Sequence, residues 1–340
     1  MSMVETDIPR AGRRELPSLD DLDRQIGHAL QLDGRAPFAR IAEVLGVSDQ
    51  TVARRYTKLR SGGLVRVLGL TEPEVLGETV WFLRVQATPD AAVPIGRALT
   101  RRTDTSWVAM VAGGTEVSAV ARSGAEADSQ GDLLLLRDLP RTRGVLGVHA
   151  YCQLHQFFGG AQGLVLKSGM LSPEQVAALA PPPAEPPGEP VVLAPDDHRL
   201  LEVLAREGRT PVAELAAATG WSPSTVRRRM AELRANGALY FDVDSSHQLY
   251  GLSSRVGLWL SVPPSGLVAT GEALAAHPEV AFACATTGAA NLFAIAVCRD
   301  TAALYAYLTG PVARLPDVRQ VETFAMIRTL KGPGPYVPPR

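Results

Sequence analysis

The chain has 340 residues, a mass of 36.2 kDa and a formal net charge of −1, a length that predicts about two domains. Its 46% hydrophobic and 20% charged residues are enough to bury cores and exclude wholesale disorder, and near-neutrality gives no support for a globally basic nucleic-acid coat. Three scattered cysteines, Cys152, Cys284 and Cys298, exclude a disulfide scaffold or a Cys-x-x-Cys metal site and point to a reducing compartment.

The first stretch, Met1 to Pro17, has no apolar run, so a secretory signal is not expected; it reads as a disordered tail. Leu22, Ile26, Ala29 and Leu30 then recur at helical spacing within Leu19–Leu32. Pro37 opens a second short helix, Gly46 is placed to stop it, and Ser48 caps a third that runs to about Arg60. Two short helices joined by a glycine turn are the helix-turn-helix pattern, and Leu64–Leu70 follows as a strand. Next come a strand over Thr79–Gln86, a helix over Ala91–Arg102, strands over Ser106–Val111 and Val117–Ala121, a helix over Ala125–Leu139, and a strand over Val145–Leu154. This β-α-β-β-α-β order is the ferredoxin-like one. Ser172-Pro173-Glu174-Gln175 predicts a capped short helix, and Ala180–Pro195, with seven prolines in sixteen residues, an extended linker.

Beyond the linker the chain repeats itself. Asp33–Val67 aligns without a gap on Glu207–Phe241 at an offset of 174, with fourteen identities that include Gly46/Gly220, Thr51/Thr225, Arg54/Arg228 and Arg55/Arg229. A weaker repeat, near an offset of 175, aligns Trp107–Ala121 with Phe282–Ala296. The second copy predicts strands over Val256–Val262, Ala281–Ala285, Leu292–Val297 and Val321–Leu330, with helices over Leu267–Ala276 and Ala302–Arg314. Val280–Cys298 carries no charge and has about the length of a membrane span. Its small, polar middle, Thr286 to Asn291, fits a hairpin better, so the expectation is a cytoplasmic protein with no membrane partner. Lys331–Arg340 reads as a second disordered tail.

The third helix of each copy separates into faces. At 100° per residue Val52, Tyr56 and Leu59 point inward, Gln50, Arg54 and Thr57 outward, and Arg55 and Lys58 flank the buried stripe. In the second copy Val226, Met230 and Leu233 point inward, with Ser224 and Arg228 outward and Arg227 beside them. Ser48–Arg60 and Ser222–Arg234 each sum to +3. Cationic flanks neutralise phosphates and a few outward residues read base edges. Ser48, Gln50, Thr51, Arg54, Arg55 and Lys58, with Ser222, Ser224, Thr225, Arg227, Arg228 and Arg229, are therefore the candidate contacts to double-stranded DNA. Arg54 and Arg228 suit guanine, and Gln50 adenine. Asp49 stands where the second copy has Pro223, and an acid there costs affinity for phosphate.

LDDLDRQIGHALQLDGRAPFARIAEVLGVSDQTVARRYTKLRSGGLV resembles the helix-turn-helix of the Lrp/AsnC (feast/famine) transcription regulators. PEVAFACATTGAANLFAIAV and LPDVRQVETFAMIRTLK resemble that family's effector-sensing domain. The resemblance implies an α+β chain in which two winged or plain helix-turn-helix domains (18–70 and 195–244) alternate with two ferredoxin-like sensor domains (77–158 and 252–332), with 159–194 as helix and linker. It further implies promoter binding, pairing of sensor domains, homo-oligomers, no cofactor, and a small-molecule effector, often an amino acid, near the turn after the second sensor strand. Carried over by position, that turn is Gly113, Gly114, Thr115 and Glu116 in one copy and Thr287, Gly288, Ala289 and Asn291 in the other. The family usually has Asp where this chain has Glu116 and Asn291, and Asn291 lacks the charge that would pair with an amino group. A four-stranded sheet with helices on one face needs its other face covered, most simply by the second copy.

His149, Tyr151, Gln153 and His155 alternate along one strand, with the two histidines about 20 Å apart, too far to share a metal. They read as interface polar groups, and Trp81, Trp107, Trp221 and Trp259 as core or sheet-interface residues. Arg10, Arg13 and Arg14 read as a solvated tail rather than a DNA-binding arm. Two rivals stay open. One is a siroheme-decarboxylase-like tetrapyrrole enzyme, which His149, His155 and Arg122 would have to serve; the other is an effector-independent architectural DNA binder. No GxSxG, P-loop or HExxH motif is present.

Overall fold

The structure, a computed structural model, describes residues 19–124, 134–245 and 250–336. The tail with Arg10, Arg13 and Arg14, and most of the helix expected over Ala125–Leu139, lie outside these residues.

Helix α1 (Asp21–Leu32) starts where the Asp20 side chain accepts from the amide of Asp23. Helix α2 (Phe38–Leu45) stops at Gly46, which takes the left-handed φ of 68° that a tight helix-to-helix turn requires. Ser48 accepts from Thr51 N and starts α3 (Asp49–Ser61), as its sequence position predicts. Strand β1 (Val65–Thr71) leads to the sandwich elements β2 (Thr79–Ala87), α4 (Pro89–Arg101), β3 (Thr105–Val111) and β4 (Glu116–Ser123). A π-helical turn, Leu134–Asp138, and a short helical turn, Leu139–Arg141, precede β5 (Val145–Phe158), which is longer than expected. Helix α5 (Pro173–Leu179) has the expected Ser172/Gln175 capping box.

The second copy repeats the set: α6 (Pro195–Arg206), α7 (Val212–Thr219), α8 (Pro223–Ala235), β6 (Leu239–Ser245), β7 (Ser254–Ser261), α9 (Leu267–Ala276), β8 (Val280–Thr286), β9 (Leu292–Cys298), α10 (Thr301–Thr309) and β10 (Gln320–Thr329). The uncharged stretch is thus the β8–β9 hairpin, and no helix among the described residues is long and apolar enough to cross a membrane.

Each strand that follows a helix-turn-helix finds its partner in the other copy. β1 and β6 form an antiparallel ribbon with Leu68 opposite Asp242, two positions 174 apart, so a pseudo-twofold axis passes through that pair. The two heads share one core, in which Ile26, Leu30, Ile41 and Leu59 meet Leu200, Leu204, Leu215 and Leu233. Each of these side chains contributes about 1.5–3 kcal/mol by burial.

The sandwich halves do more than stack. Their strands follow one another as β10-β3-β4-β2-β5-β8-β9-β7, a closed barrel. β5 pairs with β2 over its first half and with β8 from Gln153 onward; β10 does the equivalent with β7 and then β3. The length of β5 has this physical reason: its second half supplies a ladder to an edge that would otherwise carry unpaired amides. Alternation puts Leu83, Val85 and Ala119 outward under α4, and Val256, Leu258 and Ala294 outward in the second copy's core. Phe82, Trp259, Phe293 and Phe324 fill the space between the sheets.

The end of the chain departs from expectation. Gly332 O accepts from Trp107 N at 3.0 Å, and the buried Lys331 donates to Arg102 O at 2.6 Å, so Lys331 to Tyr336 is folded structure rather than tail.

Candidate functional site

The outward face of α3 presents Gln50, Arg54, Thr57 and Lys58, all exposed, and α8 presents Ser224, Arg227 and Arg228. Ser48 and Ser222 cap these helices, and their hydroxyls also meet the Thr51 and Thr225 hydroxyls at 2.9 Å in both copies. Arg228 is held by Glu232 at 2.6 Å, one turn along.

Two predicted contacts have other work. Arg55 bonds Asp20 and, at 3.1 Å, the buried Asp23, while Arg229 bonds Asp197 through two nitrogens at 2.8 and 2.7 Å. The Arg229 side-chain bond holds the Asp197 carboxyl below its ordinary value. These arginines tie the third helix to the first in each head. The signal was present in the sequence, since Asp23 and Asp197 match at the repeat offset.

The heads are joined by a second matched set. Arg35 donates to Gly208 O at 2.7 Å and Thr210 O at 3.1 Å; Arg209 donates to Gly34 O at 2.6 Å and Ala36 O at 3.1 Å. Arg60 pairs with Glu207 at 2.7 Å, and Arg234 with Asp33 at 3.0 Å. Both recognition helices are thereby fixed to one body.

The two turns that the family resemblance singles out for an effector are built differently. In the first, Gly113 and Gly114 adopt φ of 74° and 89° with open space where a Cβ would stand. Glu116 is buried and bonded by Arg84 at 2.7 and 3.3 Å, and Arg84 also reaches Glu322 at 2.8 Å. Burial pulls the Arg84 pKa down, but these two carboxylates outweigh it and raise the value. In the second turn Asn291 bonds both the N–H and the C=O of Val262, at 3.0 and 2.9 Å. Thr287 exchanges two 2.9 Å bonds with the backbone of Cys152 across the copies, Ala289 O accepts from Ser261 Oγ, and Gly288 lies so close to Tyr151 that a Cβ would stand 2.8 Å from its ring.

A cavity of about 1840 Å³ separates the heads from one end of the barrel. Arg122 lines it; no histidine does, and His149 and His155 are exposed elsewhere on β5, where strand irregularities break the expected alternation. Three of that quartet lie at the seam between the copies: the Tyr151 ring is 4.5 Å from Trp259, and Gln153 and His155 pair with Thr286 and Ala285 on β8. Trp107 departs from the core role expected of it: it is 38% exposed and lines the cavity. Among the described residues no group of three or more His, Cys, Asp and Glu could hold a metal.

The AsnC-type helix-turn-helix domain model matches residues 19–60 and 196–234, and the Lrp/AsnC ligand binding domain model matches 257–336. An uncharacterised HTH-type transcriptional regulator of Pyrococcus furiosus is 30% identical over 101 residues, covering 29% of this chain and 68% of the relative. The chain belongs to the Lrp/AsnC family. The regulatory protein AsnC of Escherichia coli K12 is 28% identical over 138 residues, covering 39% of this chain and 88% of AsnC. The HTH-type transcriptional regulator FL11 of Pyrococcus abyssi is 41% identical over 61 residues; the match covers 18% of this chain and only 40% of FL11's length. Among solved structures, the siroheme decarboxylase NirDL is similar over 92% of this chain and 93% of its own, with a TM-score of 0.63 and 14% identity, a likeness of fold. This Lrp/AsnC chain therefore shares with NirDL the arrangement of two heads and a barrel.

Proposed function

We propose that this Lrp/AsnC protein is a DNA-binding transcriptional regulator that answers to a small molecule through its paired ferredoxin-like domains. The observation that carries the DNA side is the pair of capped, outward-cationic helices, α3 and α8, set on two heads with a common core. Their base-facing residues differ, Gln50 and Asp49 against Ser224 and Pro223, so the two half-sites differ in sequence. At the sensor turns an amino-acid effector has to compete with Arg84 for Glu116 and finds Asn291 already engaged. Association between chains would use the outer faces of β5 and β10, where Leu146, Leu154 and Ile327 are exposed. The test is anisotropy of labelled promoter fragments selected from genomic DNA by the purified protein. An Arg54→Ala/Arg228→Ala double variant that still folds loses specific binding; unchanged binding overturns the reading.

The likeness to NirDL, solved also with an iron-uroporphyrin III analogue, favours a second reading as a tetrapyrrole enzyme. The cavity has the size for it, but the two histidines that reading called on lie outside it. Turnover of siroheme by the purified chain, followed by absorbance, decides between the two.

A further inference from the structure

At the cavity end of the barrel the two sheets show a swap. In the first copy Val80 stands opposite Arg122 on the β2–β4 ladder; in the second, Arg255 stands opposite Val297 on β7–β9. These are equivalent pairs, 175 positions apart. Each sheet therefore sends one arginine and one valine into the same cavity, from opposite walls. Beneath them the floor is apolar and nearly closed to solvent: Phe82, Phe293, Ile295 and Ala109 all belong to the core between the sheets and also line the cavity.

The arginines are not equally engaged. Arg122 bonds Thr71 Oγ1 at 2.9 Å and lies 3.6 Å from Glu78. Arg255 has no carboxylate partner among the described residues; it makes one 3.4 Å contact to Thr329 Oγ1, and its Nε is buried without a bond. Burial pulls its pKa down to about 10, against the opposing pull of Asp244. Arg255 is half-buried with its Nε closed off, and a partly desolvated guanidinium without an anion gains by binding one.

Trp107 is the independent sign. It sits at the irregularity between Ser106 and Ala109 on β3, with φ of 49°, a region a bulky residue enters only when the surroundings force it. The result is an exposed indole in the cavity with the Arg255 guanidinium 5.3 Å from its ring centre. Bulges re-aim side chains in this way next to binding sites.

We propose that this cavity is a ligand site for a planar, largely apolar molecule bearing a carboxylate or similar acid, with Arg255 receiving the acid, Trp107 flanking the rings and Phe82, Phe293 and Ile295 forming the floor. A free aliphatic amino acid is too small for a space larger than the 300–1,000 Å³ of ordinary ligand pockets. This inference rests on the regulator reading only in calling the ligand an effector; the binding itself does not depend on DNA.

Two probes with nearly the same ring system test it: 8-anilino-1-naphthalenesulfonate, which carries an acid, and N-phenyl-1-naphthylamine, which does not. The expected result is saturable binding of one sulfonate probe per chain, at least tenfold tighter than the neutral one, with quenching of tryptophan fluorescence. Arg255→Gln is expected to abolish that preference while the neutral probe still binds. Ile295→Trp is expected to block both probes with near-ultraviolet circular dichroism unchanged. Equal affinity for the two probes in the wild type, or a preference that survives Arg255→Gln, overturns the proposal. Promoter anisotropy on the same samples separates the readings: lost probe preference with DNA binding intact removes this site alone, and intact preference without DNA binding removes the regulator alone.

Discussion

The two copies keep the same bonds in their heads and diverge in their barrel halves. Asp23–Arg55 and Asp197–Arg229, Asp33–Arg234 and Glu207–Arg60, and the reciprocal Arg35 and Arg209 contacts all recur. In the barrel, Glu116 becomes Asn291, and the Val80–Arg122 pair becomes Arg255–Val297. The difference teaches what duplication within one chain allows. In a homodimer a residue on the twofold axis faces its own copy, so an acid there meets an acid. Here Asp242 on the axis faces Leu68, and the constraint is gone. Symmetry persists where it holds α3 and α8 in register and lapses at the turns and at the cavity end of the barrel.

The sharpest test of the shared network is stability. Asp197 is fully buried, and both its oxygens accept from Arg229, whereas Arg55 shares its pull between buried Asp23 and half-exposed Asp20. Arg229→Ala is expected to cost about 3 kcal/mol, because it strands a buried carboxylate. Arg55→Ala is expected to cost less. Urea denaturation of both variants reads the difference, and equal losses would show that the heads do not differ in this way.

Next in size is the DNA face. Arg54→Ala and Arg228→Ala should each cost about 1–3 kcal/mol, roughly 5- to 150-fold, at one half-site only. Loss at both half-sites from either variant would break the assignment of one head to one half-site. Arg228 must first leave Glu232, so its loss is expected at the lower end of that range.

The axis itself is testable by pH. Burial raises the Asp242 carboxyl from an ordinary value of 3.8 to about 6, with Gln31 donating to it at 2.9 Å and Asp244, paired with Arg66, nearby. The folded chain thus holds a proton that the unfolded chain releases. Stability from this group is complete below pH 3.8 and is lost as pH rises through 6. Asp242→Asn, which cannot ionise, should flatten the stability curve between pH 4 and 6. An identical curve in wild type and variant would place the dependence elsewhere.

Much of this was legible in the sequence. Caps at Ser48 and Ser222, the glycine stops and the inward stripes are local rules with a fixed period, and they appear as expected. What could not be read was which copy each group would meet. The strands after the heads pair across the repeat, and β5 and β10 outrun their own sheets. Arg255 and Trp107 are single residues without a spacing signal, and only the closed barrel brings them together.

The smallest effect concerns the first turn of α3. Asp49 accepts from Gln50 N at 2.8 Å and sits in the first helical turn, where its charge complements the helix dipole by about 0.3–1 kcal/mol. The same charge repels phosphate, and α8 has Pro223 there instead. Asp49→Ala should therefore move two measurements in opposite directions: stability falls by a few tenths of a kcal/mol, while affinity of the first head for its half-site rises about two- to fivefold at low salt. Because the gain is electrostatic and exposed, it should fade toward 0.3 M salt. A gain that persists at high salt would mean that Asp49 restrains Gln50 sterically rather than repelling the backbone of DNA, and the difference between the heads would then lie in base reading instead of charge.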